Sequence, residues 1–150
     1  MTMAQASVPA ERLQVHSRFA DTEVNPGDVL MFAEGLPGYE SARQFVLLDV
    51  PDQAPLKVLH AVNATEPCFL VVDPKSVLAT YRYELSDSDC HRLGAKDASA
   101  LLWLAMVIVD DAGTVAVNLR APIVINPERM TGRQVMPNAC VYPLRYVLGQ

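Results

Sequence analysis

The feature that most limits what this chain can fold into is a series of short apolar and β-branched runs, spaced by roughly ten residues and punctuated by turn-forming residues. The runs are Leu13 to Phe19, Val29 to Phe32, Gln44 to Val50, Leu56 to Val62, Cys68 to Asp73, Thr80 to Leu85, Leu101 to Asp110, Thr114 to Leu119, Ile123 to Asn126 and Arg133 to Met136. This pattern predicts a mostly β chain, a small antiparallel β-barrel-like or sandwich domain. The breaks have mechanisms of their own. Asn25-Pro26-Gly27-Asp28 offers a fixed φ followed by a permissive one, as a tight turn wants. Asp73-Pro74 ends its strand because proline has no amide for the ladder. Asp110-Asp111-Ala112-Gly113 can close a hairpin, with Gly113 free to take a positive φ.

One short helix fits this plan. Ser86 can cap it, Asp87 and Asp89 suit the positive end of its dipole, and Gly94 can close it. The run Leu101 to Met106 suits a buried helix as well as a buried strand, but Val107-Ile108-Val109 favours a strand.

At 150 residues, 51% of them hydrophobic, the chain can fill the core of one domain. Residues 1–12 lack periodicity and read as a flexible tail before a single β domain over 13–150. A net charge of −5 opposes the basic footprint of a nucleic-acid binder. Cys68, Cys90 and Cys140 stand far apart and form no CxxC pair, which reads as reduced thiols. No basic segment with a long apolar run marks the N-terminus as a secretory signal. The apolar run from Ala98 to Val109 is well short of the ~20 residues a membrane-spanning helix needs. The expectation is a cytoplasmic monomer with no membrane or direct nucleic-acid partner.

The residues offer little for catalysis. His16, His60 and His91 have no partners at metal-ligand spacing apart from Asp89-Cys90-His91, whose adjacent members do not face each other on a helix. Gly35-Leu36-Pro37-Gly38 has the outline of a phosphate-cradling loop, but Pro37 removes an amide such a loop would use. The reading is no catalytic residue, no metal site and no cofactor.

Two segments are more particular than generic punctuation. In Phe32 to Glu40, two glycines flank Leu36-Pro37 and aim Leu36 and Tyr39. In Asn118 to Asn126, Pro122 suits an edge or bulge, and the Arg120 fork can reach a carboxylate or a backbone carbonyl. With Phe45-Val46-Leu47-Leu48, Phe69 to Pro74 and Tyr142-Pro143-Leu144-Arg145, these segments stand in the order found in the flagellar assembly factor FliW family, which the chain resembles over residues 13 to 148. The resemblance implies a barrel-like β fold without catalytic activity that binds cytoplasmic flagellin. It also implies antagonism of the translational regulator CsrA, which couples flagellin synthesis to export. Tyr39 stands where the family more often has Phe, and Leu59-His60-Ala61 replaces what is typically Leu-Gln-Ser.

Leu36, Tyr39, His60, Asn118 and Arg120 are the candidate partner-binding residues. Asn118 and Arg120 suit tying down a bulge through backbone hydrogen bonds somewhat better than partner contact. The alternative is a small-ligand-binding β-barrel or enzyme of unknown substrate, which would need a pocket with convergent polar groups.

Overall fold

Alternating apolar side chains bury one face of a sheet, and here the sheet closes on itself to enclose that face. The computed structural model describes residues 13–17, 19–136 and 141–149. In chain order its strands are β1 (Gln14–His16), β2 (Asp21–Glu23), β3 (Leu30–Met31), β4 (Gln44–Asp49), β5 (Lys57–Ala61), β6 (Cys68–Val72), β7 (Leu102–Val109), β8 (Val115–Val117), β9 (Ile123–Asn126), β10 (Thr131–Gln134) and β11 (Tyr146–Val147). Strands β3 to β7 pair antiparallel in sequence. Strand β9 pairs antiparallel with both β7 and β10, and Thr131 of β10 meets Met31 of β3 in parallel, which closes a seven-stranded barrel. Strands β8 and β11 extend the sheet beside the second half of β7.

The barrel interior is filled. Phe45 and Leu47 of β4, Leu59 and Ala61 of β5, Phe69 and Val71 of β6, Leu104 and Met106 of β7, and Ile123 and Ile125 of β9 form one cluster with Leu30, Phe32 and Leu36. Each fully buried side chain of this size contributes about 1.5–3 kcal/mol relative to exposure. Phe32 meets Phe45 edge to face at 5.0 Å between ring centroids. It lies so close to β10 that a Cβ on Gly132 would stand 2.5 Å from its ring.

The outer face is covered in three places. The β1–β2 hairpin sets Val15 and Val24 over Val46 and Val62. Val72, Ala105 and Val117 lie beneath Tyr81, with Tyr142 and Tyr146 packed against them. Helix α2 (Asp87–Leu93; α1 is the single turn Pro74–Val77) buries Leu93 against Val124 and Val135. Its ends are those expected from the sequence: Ser86 Oγ accepts the Asp89 amide at 3.0 Å, and Gly94 adopts the left-handed conformation at φ 68°.

Some expectations hold and others change. The strand expected over Leu101 to Asp110 is present as Leu102–Val109, and Gly113 has the positive φ of its hairpin. Pro26–Asp28 is a 3₁₀ turn in which Gly27 is not among the glycines at positive φ, because Pro26 already starts the turn. The run Thr80 to Leu85 joins no ladder. Tyr81, Tyr83 and Leu85 are turned inward and Arg82 and Glu84 are exposed, and the run lies over the outside of the sheet. Cys68 and Cys90 are free thiols. Cys140 and the expected tail over 1–12 fall outside the described residues.

Gly132 is required by the Phe32 ring rather than by its own backbone angles. Gly132→Ala is expected to lower stability by about 1–3 kcal/mol, and the further change Phe32→Leu to recover part of that loss by making room. Urea unfolding of the single and double variants checks this; additive losses would separate the two residues.

Candidate partner-binding surface

The loop after β3 divides its residues between the interior and the surface. The Gly35 amide donates to the Phe32 carbonyl at 2.8 Å and the Tyr39 amide to the Leu36 carbonyl at 2.7 Å, which folds Phe32 to Tyr39 into two successive turns. Gly35 sits at φ +65°, and a Cβ there would stand 2.6 Å from the Glu40 Cα, so the position excludes side chains on two grounds. The turns push Leu36 into the barrel, where it is 1% exposed, and leave Tyr39 44% exposed. The Tyr39 ring meets Phe69 edge to face at 5.5 Å.

Glu34 anchors this loop to two other elements. It accepts from Arg92 Nη1 of α2 at 2.9 Å and from Arg133 of β10. Arg133 Nε lies 3.1 Å from the Asp89 carboxylate, off the line of a hydrogen bond, so that contact is ionic. The Arg133 hydrogen bond, reinforced by Arg92, holds the Glu34 carboxyl below its ordinary value.

His60 is 0% exposed. Its Nδ1 faces the Ala61 carbonyl at 2.8 Å, which places the ring proton there and leaves Nε2 to accept from Ser17 Oγ, also at 2.8 Å. His60, one of the candidate partner-binding residues, is therefore buried rather than on the surface. Leu59 and Ala61 face the barrel interior, and the N-terminal segment at Ser17 covers His60. Leu36 is likewise buried, and its side chain has no surface to offer a partner.

Asn118 and Arg120 hold an irregular turn. Two residues separate Leu104 from Val107 on β7, but five separate their partners Ile123 and Val117, so three extra residues bulge out between β8 and β9. Asn118 Oδ1 accepts from the amides of Arg120 and Ala121, each at 3.1 Å. Arg120 Nε donates to the Tyr142 carbonyl at 2.9 Å, and Tyr81 donates its hydroxyl to the Leu119 carbonyl at 2.9 Å. Of the five residues singled out from the sequence, the structure therefore exposes the Tyr39 ring and gives the other four internal partners.

Two grooves indent the surface. One, of about 630 Å³, runs past Tyr39, Met31, Arg43 and Glu66. The other, of about 810 Å³, is lined by Pro74, Lys75, Arg82, Glu84, Leu102 and Trp103. Sequence reasoning missed the second because its walls come from segments distant in sequence. The signal was the alternation Tyr81-Arg82-Tyr83-Glu84 just after the Asp73-Pro74 break. Among the described residues, no cluster of three His, Cys, Asp or Glu side chains gathers as a metal site. Among the same residues, no helix is long and apolar enough to cross a membrane.

Fold and surface together define a closed, internally packed β barrel with its candidate contact groups on the outside. Residues 14–148 match the family described as FliW protein. The flagellar assembly factor FliW of Thermoanaerobacter pseudethanolicus is 31% identical over 137 residues, covering 89% of this chain and 91% of that one. That of Geobacillus kaustophilus is 33% identical over 131 residues, covering 85% and 89%. A crystal structure of the flagellar assembly factor FliW superposes with a TM-score of 0.83 at 28% identity, over 90% of this chain and 96% of that one. The chain belongs to the FliW family of flagellar assembly factors. These relatives are named for a role in assembly rather than for a reaction.

Two predictions follow from this geometry. Leu36→Ala should cost about 2–5 kcal/mol as a core truncation, against about 1 kcal/mol for Tyr39→Ala, which loses one edge-to-face contact; thermal and urea unfolding measure both. Because the folded-state value of Glu34 lies below its ordinary 4.5, its stabilising contribution is present above that value and is lost as pH falls through the folded one. The stability gap between the wild type and Glu34→Gln should therefore narrow below about pH 4.5. A gap independent of pH would remove the ion pairs from the account.

Proposed function

We propose that the protein binds flagellin in the cytoplasm and antagonises the translational regulator CsrA, so that flagellin synthesis follows flagellin export. The observation that carries this reading is the family match over residues 14–148 together with the superposition on a FliW crystal structure. The protein acts by reversible binding, with no catalytic step and no cofactor. Flagellin and CsrA compete for it: exported flagellin leaves it free to take CsrA and relieve repression.

The charge balance supports a basic partner. The net charge is −5, and a protein that holds RNA must carry a basic face, so attraction would speed encounter with CsrA. The filled interior argues against a small ligand held inside the barrel. Of the residues nominated from the sequence, Tyr39 is the one we assign to partner contact, because it is 44% exposed.

Purified protein should capture flagellin from the same genome at about one to one, and added flagellin should displace CsrA from it. Calorimetry with folded protein is the check. No heat of binding with either partner would overturn the reading, and simultaneous binding of both would overturn the competition.

A further inference from the structure

We propose that the groove between Pro74 and Trp103 takes a segment of flagellin in extended form, added as a strand to the open edge of β7. This rests on the reading of the protein as a flagellin binder and specifies where, and in what conformation, the flagellin chain is held.

The edge exists because two neighbouring strands differ in length. The β6–β7 ladder ends at Val72 opposite Ala105. Strand β6 stops there because Asp73 caps α1, accepting the Lys75 amide at 2.8 Å, and Pro74 occupies its first turn. Strand β7 continues to Leu102, and among the described residues Leu102, Trp103 and Leu104 pair only with β9, on one side. The position β6 would have filled is the groove of about 810 Å³. In its lining, Glu84 makes no backbone hydrogen bond to any described residue.

A strand edge with open amides and carbonyls favours an extended occupant. An incoming strand supplies main-chain partners to β7, whereas a helix satisfies its own backbone and would leave that edge unpaired. Successive side chains of the added strand point to opposite faces, so the segment should be apolar at alternate positions, to lie against Trp103 on the outer face. Lys75 and Arg82 line the same groove and form no ion pair with a described residue, which suits a carboxylate at an intervening position.

Trp103 is the single tryptophan of the chain, so protein labelled with 5-fluorotryptophan reports on this groove through one ¹⁹F resonance. Titration with full-length flagellin should move that resonance and slow hydrogen exchange at Leu102–Leu104. Leu102→Arg, at a half-exposed strand position, and Lys75→Glu, on the exposed first turn of α1, should each weaken flagellin binding by about tenfold or more. Ile108→Arg, on the far end of β7, should not. Lys75→Glu keeps the test open if Leu102→Arg fails to fold. Flagellin binding that leaves the resonance and both affinities unchanged overturns the groove while the flagellin reading stands. A moved resonance with unprotected amides overturns the added strand. Absence of binding to the wild type defeats the flagellin reading and the groove with it.

Discussion

Everything in this fold depends on one strand serving two partners along one edge. Strand β7 gives its first half to β9, which closes the barrel, and its second half to β8, which carries the sheet outward to β11. The two pairings are out of step by three residues, and the chain absorbs the difference in the bulge between Val117 and Ile123. A bulge leaves backbone groups without ladder partners. Here the Asn118 side chain, the Arg120 fork and the Tyr81 hydroxyl engage the bulge, and the same contacts tie in the segment around Tyr142. Closing the barrel and docking the C-terminal segment are thus one structural event.

The interior makes a second demand, for space rather than hydrogen bonds. Phe32 lies against Gly132, and the two successive turns built on Gly35 push Leu36 in from the end of β3. Interiors packed like organic crystals respond to each methylene, which leaves these positions little freedom. On the outside, the structure leaves the Tyr39 ring partly exposed and a groove beside Trp103.

The strands were legible in the sequence because alternation and turn chemistry are local. Gly113 at positive φ, the Ser86 cap and the break at Asp73-Pro74 all follow from the residues themselves. What covers the outer face was not legible. Val46 and Val62 alternate with interior residues, as do Tyr81 and Tyr83, and periodicity alone cannot say that the first pair lies under a hairpin or that the second overlies a sheet. His60 reads as a surface residue until Ser17 is seen against it. The motif residues were legible as family markers but not by role: turns and bulges need Gly, Asn and Pro at set places, and a motif built from such needs points to scaffold as readily as to contact. Asn118 and Arg120 have their hydrogen bonds inside the protein, and the exposed neighbour Tyr39 is marked by its ring.

The family-marking residues Asn118 and Arg120 hold the bulge beside which the barrel closes. Asn118→Ala tests this role most directly, with urea unfolding and flagellin affinity measured on the same preparation. The account predicts a stability loss of about 1–3 kcal/mol from two amides left without their acceptor, with the affinity of the folded protein kept within about threefold. Unchanged stability with affinity lost would contradict it and return Asn118 to the binding surface.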